Sequence, residues 1–353
     1  TGVLEAFIKL AIAIYITYTD FDKLISFGLL MAVSAIVMLL IKRIYCHKNY
    51  SEVDVDVKKY FDKTLFKEMG GFASWSFLGT STSMVANYGQ IIVLNIFFGP
   101  LVNAAQAIAV QINGQLSSFA GIMLKALNPL IVKSEGAGER DFMLKASLLG
   151  GKLSFFLLML FYVPVLIEMK FILQFWLLKV PAYTIVFCKL LLLKSLIEQL
   201  FITLNTSIFA VGEIKRFQII SSIINILPLI TSYLIFLMGF PPEYTYFVFI
   251  TFSIIGACNT LFFAKKYCLL SYSHFYRNIF CRCSLTFLCV YLFSSLPSVF
   301  LKEDFLRLFL VLSFSAIASL LTIWLVGFSK DERVSNKSFL VSIKLNIMGR
   351  LKR

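Results

Sequence analysis

The stretch LNIFFGPLVNAAQAIAVQIN, residues 94–113, decides the fold because it places regularly spaced amides within an uncharged apolar run. It belongs to a longer segment, residues 69–124, that contains no charged side chain. A helix that crosses a bilayer needs about 20 mainly apolar residues. The segment therefore predicts two crossing helices joined by a tight turn at Gly99 and Pro100.

Amides and hydroxyls recur along one face of each predicted helix. The face of the second helix follows a three-four-three-four spacing: Asn103, Gln106, Val110, Asn113 and Ser117. The face of the first helix comprises Thr80, Ser83, Asn87 and Gln90. Amides in hydrocarbon are costly without partners, so we expect the second face to point into the protein or a wet cavity. The first face suits either interhelical hydrogen bonds or a wall that contacts sugar.

The composition is that of a polytopic membrane protein. Of the 353 residues, 59 % are hydrophobic and 15 % are charged, and the mean hydropathy is +0.85. Ten apolar segments are too long for strands and predict an all-α fold: roughly 3–18, 24–41, 69–98, 102–132, 147–167, 183–211, 218–239, 245–264, 279–301 and 305–327.

Lysine and arginine alternate between the two sets of loops. One set contains Lys42, Arg43, Lys48, Lys58, Lys59, Lys63, Lys67, Lys133, Arg140, Lys145, Lys215, Arg216, Lys265, Lys266, Arg277 and Arg282, and the basic tail lies on the same side. The opposite loops contain Lys23, Lys170, Lys179, Lys302 and Arg307. The positive-inside rule therefore places both ends of the chain in the cytoplasm. The net charge of +14 reflects this topology and predicts no nucleic-acid partner.

Two connecting segments predict helices at the membrane surface. The longest outer loop, about 168–182, is rich in aromatic residues and predicts an interfacial helix. The tail from Ser329 alternates basic and apolar residues and predicts a helix on the membrane surface.

The most informative charges lie in the predicted sixth span, 183–211. Lys194, Glu198 and Asn205 share one helical face, and Glu198 lies near the middle of the span. One interpretation is a structural ion pair that fixes helix packing. The other is functional: Glu198 exchanges a proton while Lys194 attracts an anionic group.

Two further lysines lie near the inner ends of their spans. The side chains of Lys125 and Lys152 either extend to the membrane surface or form a cationic mouth that binds phosphate.

No enzyme signature is present in the sequence. His47 and His274 are the two histidines and have no metal-ligand spacing, and there is no phosphate-binding glycine loop. The seven cysteines support neither a disulfide framework nor a zinc site. We therefore expect a protein that is not an enzyme and has no cofactor or metal. Transport would be driven by H⁺, Na⁺ or the substrate's own gradient.

Several long runs resemble the bacterial polysaccharide-biosynthesis flippases, the O-antigen or Wzx-type group of the MATE/MOP superfamily. They are LNIFFGPLVNAAQAIAVQIN at 94–113, ALNPLIVKSEGAGERDFM at 126–143, KLSFFLLMLFYVPVLIEMKFILQFWL at 152–177, VPAYTIVFCKLLL at 180–192 and AVGEIKRFQIISSIINILPLITSYLIFLMGFPPEYTYFVF at 210–249. The resemblance covers most of residues 1–280. Beyond residue 280 it is limited to hydropathy.

The resemblance implies two six-helix lobes around a central cavity. In that arrangement residues 1–41 are the last two helices of the amino-terminal lobe, 42–68 a cytoplasmic linker between the lobes, and 69–264 a six-helix carboxy-terminal lobe. Residues 265–327 are an appended helix pair, and 328–353 a basic cytoplasmic tail. Four helices of the first lobe are then missing, and the absent initiator Met leads us to expect an amino-terminal truncation.

The resemblance also implies a substrate and a location. Such proteins move an undecaprenyl-diphosphate-linked oligosaccharide, the repeat unit of an O-antigen or capsule, across the bacterial inner membrane by alternating access. Membrane lipids, glycosyltransferases and a polysaccharide polymerase are the partners that this activity implies. The family motif matches at Asn95, Asn103, Gln111 and Asn113 without assigning each a role.

Physical chemistry adds candidates for contact with this substrate. Lys125, Lys152 and Lys194 supply the positive charge that a diphosphate needs. The polar faces that include Asn87 and Gln90 supply amides and hydroxyls for sugars.

Two rival functions are disfavoured by the sequence. A MATE-like antiporter of small organic cations would need an acid-rich cavity, whereas the spans contain more lysine than acid. An oligosaccharide polymerase would favour a sizeable outer domain, and no outer loop is long enough for one. A purely structural membrane protein is a third alternative, in which the polar faces need only internal partners.

Overall fold

The computed structural model describes residues 2–18, 22–50, 61–177, 179–329 and 332–333. All regular secondary structure in these ranges is helical, as the all-α prediction requires. The predicted surface helix of the tail lies almost entirely outside the described residues, as do residues 51–60 of the predicted 42–68 linker. The chain divides into two compact units, Thr1–Glu68 and Met69–Arg353, and the site described below belongs to the second.

The helices follow the apolar segments of the sequence. In chain order they are α1 (Gly2–Tyr18), α2 (Lys23–Asn49), α3 (Lys63–Gly136), α4 (Arg140–Trp176), α5 (Thr184–Gln199), α6 (Ile202–Val211), α7 (Lys215–Leu237), α8 (Tyr244–Cys268), α9 (Tyr272–Phe275), α10 (Cys281–Phe300) and α11 (Phe305–Thr322). Two π-helical turns, Tyr276–Phe280 and Ile323–Gly327, precede α10 and follow α11.

Seven stretches within the described residues are long and apolar enough to cross a membrane: Ile25–Asn49, Lys63–Gly136, Arg140–Trp176, Lys215–Leu237, Tyr244–Cys268, Tyr272–Phe300 and Phe305–Gly327. The sequence predicted ten segments. The numbers differ because two of those segments are joined in α3, α1 has only 17 residues, and the predicted sixth span is divided between α5 and α6. These long helices indicate a polytopic, membrane-embedded protein.

Large apolar side chains on the outer helix faces agree with a lipid environment. On α11, Phe309 is 67 % exposed, Ile317 58 % and Leu320 72 %. A water-soluble protein rarely exposes so continuous an apolar face. Such a surface is suited to contact with lipid.

The predicted turn at Gly99 and Pro100 is present within α3. Gly99 has φ 75° and ψ −174°, a backbone conformation that glycine adopts without strain, and separates the segments 63–98 and 100–136. Gly79 lies against Gln218 near the start of α7. Asn128 accepts a hydrogen bond from Thr206 in α6, shortly before α7 begins. Since residues on both sides of Gly99 approach the same end of α7, the chain reverses direction at this turn.

Helix α4 lies at the centre of the second unit and packs against α5, α6, α10 and α11. Gly150 and Gly151 allow close approach at its amino-terminal end. A Cβ at Gly150 would lie 2.8 Å from Leu127 Cδ1, and one at Gly151 would lie 2.7 Å from Thr203 Oγ1. Small residues at such contacts are typical of helix packing in membranes.

An ion pair joins α4 to the residues that follow α11. The Lys152 ammonium donates to Glu332 at 2.8 Å, and the Lys152 side chain is fully buried. It also lies over the Phe328 ring, 5.8 Å from the ring centre. Arg282 donates to the carbonyls of Val326 and Phe328 at 3.0 Å each, which fixes the same turn from α10.

A second buried ion pair lies at the other end of α4. Arg307 in the first turn of α11 donates to Glu168 at 2.6 Å, and the Glu168 side chain is fully buried. Glu168 interrupts the helical dihedrals of α4, which nevertheless continues to Trp176. The sequence placed an interfacial helix at about 168–182. The structure instead continues α4 through its first half and places Arg307, expected in a loop, inside the bundle.

We predict that Glu332→Gln destabilises the fold, because it leaves the buried Lys152 ammonium without a counter-charge. Removal of one partner of a buried ion pair costs about 3–5 kcal/mol. The measurement is thermal unfolding in detergent. Glu303→Gln is the matched control, since its partner Lys170 is 56 % exposed and an exposed pair contributes about 1 kcal/mol or less. Equal shifts of the unfolding temperature in both variants would contradict the assignment.

The same pair has a defined pH dependence. Burial raises the pKa of Glu332, but hydrogen bonds from Lys152 and Ser329 outweigh it and hold this pKa below 4.5. A carboxyl with a lowered pKa stabilises the fold above its ordinary pKa and loses that effect as the pH falls through the folded value. We therefore expect the stability difference between Glu332→Gln and the parent to persist at neutral pH and to shrink only below pH 4.5.

Candidate functional site

A polar cleft of about 590 Å³ opens between α3, α5, α6, α7 and α8. Its lining contains many amides and hydroxyls, which is unusual for a bundle with such an apolar exterior. The polar residues of the lining are Thr80, Ser83, Asn87, Lys194, Glu198, Asn205, Gln218, Ser221, Asn225, Ser253 and Thr260.

The wall between α3 and α7 is held by short contacts. Asn225 donates to the Ser83 hydroxyl at 3.1 Å, and Thr82 donates to Ser222 behind the cleft surface at 3.3 Å. A side chain at Gly79 would overlap the carboxamide of Gln218. The two helices therefore approach closely at this point, and the cleft lies beside the contact.

The charged part of the cleft is formed by α5 and α8. Lys194 donates to Glu198 Oε1 at 2.8 Å, one helical turn away. Ser253 from α8 donates to the same oxygen at 2.8 Å. The Lys194 side chain is 18 % exposed and that of Glu198 47 %, so the carboxylate is the more accessible partner.

A break in the helix follows Glu198 directly. The amide of Phe201 donates to the Glu198 carbonyl at 3.0 Å, a bond one residue shorter than in a regular α-helix. Asn205 continues the polar face beyond the break and accepts from Thr260 of α8 at 3.0 Å. The sequence predicts one continuous span over residues 183–211. The structure divides it at Leu200 and Phe201, where Phe201 lines the cleft.

Three of the predicted site residues meet in the cleft: Asn87, Lys194 and Glu198. The polar face predicted on the first helix contributes Thr80 and Ser83 as well. Lys194, Glu198 and Asn205, predicted to share one helical face, all line the cleft, although a helix break separates Asn205 from the other two.

The other predicted residues lie away from the cleft lining. Asn95, Gln111 and Lys125 are exposed. Gln90 is buried, and its amide nitrogen has no partner among the described residues. Lys125 and Lys152 are not among the residues that line the cleft, and Lys152 is paired with Glu332.

The amide face of the second α3 segment makes contacts between helices. Tyr162 of α4 donates to Asn113 at 2.8 Å and shares a hydrogen bond of 2.8 Å with Ser117. Tyr246 of α8 donates to Gln106. This agrees with a face that points into the protein. Asn103 is also partly covered, and its Oδ1 has no partner among the described residues.

Several cleft residues were missed although the sequence contained a signal for them. Gln218, Ser221 and Asn225 recur at helical spacing along α7, and Ser253 and Thr260 do so along α8. The spacing argument applied to residues 103–117 would have found both faces. Which of these faces meet depends on contacts between distant segments, which one sequence does not specify.

No protein-family model matches the chain, and the curated proteins and solved structures that were searched contain no significant match. The resemblance to polysaccharide flippases therefore stays a prediction from the sequence. The function has to be argued from the geometry of the cleft.

We predict that the cleft is filled with water. Ser221 lines it, whereas Ile223 on the same helix is 54 % exposed on an apolar surface. The thiolate is the reactive form of cysteine and needs a polar environment. A membrane-impermeant, charged thiol reagent should therefore modify Ser221→Cys at least about tenfold faster than Ile223→Cys. The parent chain, in which Cys258 is exposed, gives the background rate. Equal rates at both positions would show that the cleft is dry.

Proposed function

We propose that this protein is a flippase that moves an undecaprenyl-diphosphate-linked oligosaccharide across the bacterial cytoplasmic membrane by alternating access. The observation that carries the proposal is a cleft lined by amides and hydroxyls inside a bundle whose exterior is apolar. Buried polar groups in a membrane protein mark a pathway for a polar substrate. Sugars supply the hydroxyls that such groups bind, while a polyprenyl tail remains in lipid.

The proposed architecture is that of the MATE/MOP superfamily. It has about ten crossing helices in this chain, with residues 69–264 as the carboxy-terminal lobe, residues 1–41 as part of the first lobe, and 265–327 as an appended pair. Both ends of the chain are cytoplasmic in this proposal. Glycosyltransferases that build the lipid-linked sugar and a polymerase that consumes it are the implied partners.

The Lys194–Glu198 pair is the proposed coupling element. The attraction within an ion pair is strongest where water is excluded, but the Glu198 side chain is 47 % exposed in the cleft. A carboxylate in that position can exchange a proton with water. We propose that Glu198 exchanges a proton during the transport cycle and that Lys194 is its ion-pair partner.

The cation-antiporter alternative would need an acidic cleft. Of the described residues that line the cleft, Glu198 is the acid, and it is already paired with Lys194. A cation would therefore have to compete with an ammonium 2.8 Å away. This favours the flippase proposal over the antiporter.

The experiment is flipping of a labelled polyprenyl-diphosphate oligosaccharide in proteoliposomes, with and without a pH gradient. The parent should flip the lipid, and Glu198→Gln and Lys194→Ala should each reduce the rate by about tenfold, a barrier change of about 1.4 kcal/mol, because each removes one member of the proposed coupling pair. Glu198→Gln should also lose its response to the pH gradient.

Two matched controls lie outside the cleft. Glu213→Gln changes an exposed acid in the loop before α7, and Lys189→Ala removes a lysine from the same helix as Lys194. Both should flip at the parent rate. A parent that exports small organic cations and leaves the lipid-linked sugar in place would replace the flippase with the antiporter. Normal flipping by both cleft variants would make the pair structural.

A further inference from the structure

We infer that the cleft binds the neutral sugar units of the substrate and that the diphosphate stays outside its lining. The inference rests on the proposed function and specifies which part of the substrate occupies this site. It departs from the expectation that Lys194 serves the diphosphate.

The charge of the cleft is the first observation. Of the described lining residues, Lys194 and Glu198 are the charged ones, and they neutralise each other at 2.8 Å. Ser253 adds a second donor to the same carboxylate oxygen. A diphosphate needs a net positive partner in a low-dielectric environment. This lining offers no net positive charge while the Lys194–Glu198 pair is intact.

The hydrogen-bonding groups are the second observation. Asn87, Asn205, Gln218 and Asn225 can each donate and accept, as can the hydroxyls of the lining. A sugar hydroxyl also donates and accepts, so it is the complement of this mixture. An anion only accepts hydrogen bonds and therefore offers no donor to the amide oxygens.

Aromatic side chains are the third observation. Phe201, Phe209, Phe217, Phe249 and Phe252 line the cleft beside the amides. The face of an aromatic ring carries partial negative charge. It therefore attracts the polarised C–H groups of a sugar ring and repels a phosphate.

The size of the cleft agrees with a short glycan. Its volume of about 590 Å³ falls in the range of about 300–1,000 Å³ found for sites that bind small ligands. A disaccharide is within that range. A polyprenyl chain is not needed to fill it.

Apart from Lys194, the cationic side chains that the structure describes lie outside the cleft lining. Lys152 is buried against Glu332, and Lys125 is exposed away from the lining. Lys215, one turn before Gln218 on α7, has its ammonium over the Trp75 ring, 5.3 Å from the ring centre. Positive charge thus lies outside the lining, whereas the interior is neutral.

The test is ligand-observed NMR titration of the full chain in lipid nanodiscs with two probes, a panel of neutral disaccharides and inorganic pyrophosphate. We expect a disaccharide to bind and pyrophosphate neither to bind in the cleft nor to displace it. Phe252→Ala and Asn225→Ala should each weaken disaccharide binding by roughly three- to tenfold. Phe247→Ala is the matched control, since Phe247 lies on α8 outside the lining and is 49 % exposed.

Pyrophosphate binding by a variant distinguishes a site for sugar from a site for phosphate. Glu198→Gln leaves Lys194 without its counter-charge, so this variant should acquire pyrophosphate binding that the parent lacks, whether or not it still transports. Pyrophosphate that binds the parent, competes with the disaccharide and is lost in Lys194→Ala would overturn the inference. So would a correctly folded parent that binds no disaccharide.

The two proposals can fail separately. A parent that flips the lipid-linked substrate but binds pyrophosphate in the cleft contradicts the sugar site and leaves the flippase standing. A parent that binds disaccharides in the cleft without flipping any lipid-linked sugar contradicts the flippase and supports the sugar site.

Discussion

The fold depends on the requirement that polar groups inside an apolar bundle find partners. Lys152 pairs with Glu332, Glu168 with Arg307, and Tyr162 with Asn113. Each of these contacts joins α4 to another element: the residues after α11, α11 itself, and the second segment of α3. The central helix is thus fixed at three points along its length by polar pairs, and the apolar residues around it fill the remaining space.

The cleft contains polar groups that this internal pairing leaves accessible. Some of its amides already bond across helices, as Asn225 does to Ser83 and Asn205 to Thr260. The Glu198 side chain, in contrast, remains half exposed beside a helix break. Discontinuous helices are a recurrent way to place binding groups within membrane transporters. A neutral polar surface with one titratable pair is suited to a sugar and to proton exchange, which unites the two proposals.

The sequence predicted the all-helical class and the local Lys194–Glu198 pair, but it missed the break in the sixth span and the contacts between residues far apart in the chain. Hydropathy predicted the helices, Gly99 and Pro100 predicted the reversal of α3, and the i, i+4 spacing of Lys194 and Glu198 predicted their contact. Arg307 and Glu168 are 139 positions apart, so no spacing rule connects them. The sequence left Lys152 open to extension toward the membrane surface or to phosphate binding, whereas in the structure it pairs with Glu332. Asn95 and Gln111 carried a family motif but are exposed away from the cleft lining.

The central claim is that the Lys194–Glu198 pair acts in transport as well as in packing. The most direct measurement compares flipping by the single variants Lys194→Ala and Glu198→Ala with flipping by the double variant that carries both. The double variant removes both charges, so any penalty from an unpaired buried charge disappears. We predict that it folds like the parent and remains inactive, since the carboxylate proposed to exchange a proton is gone. Recovery of the parent flipping rate in the double variant would contradict the account.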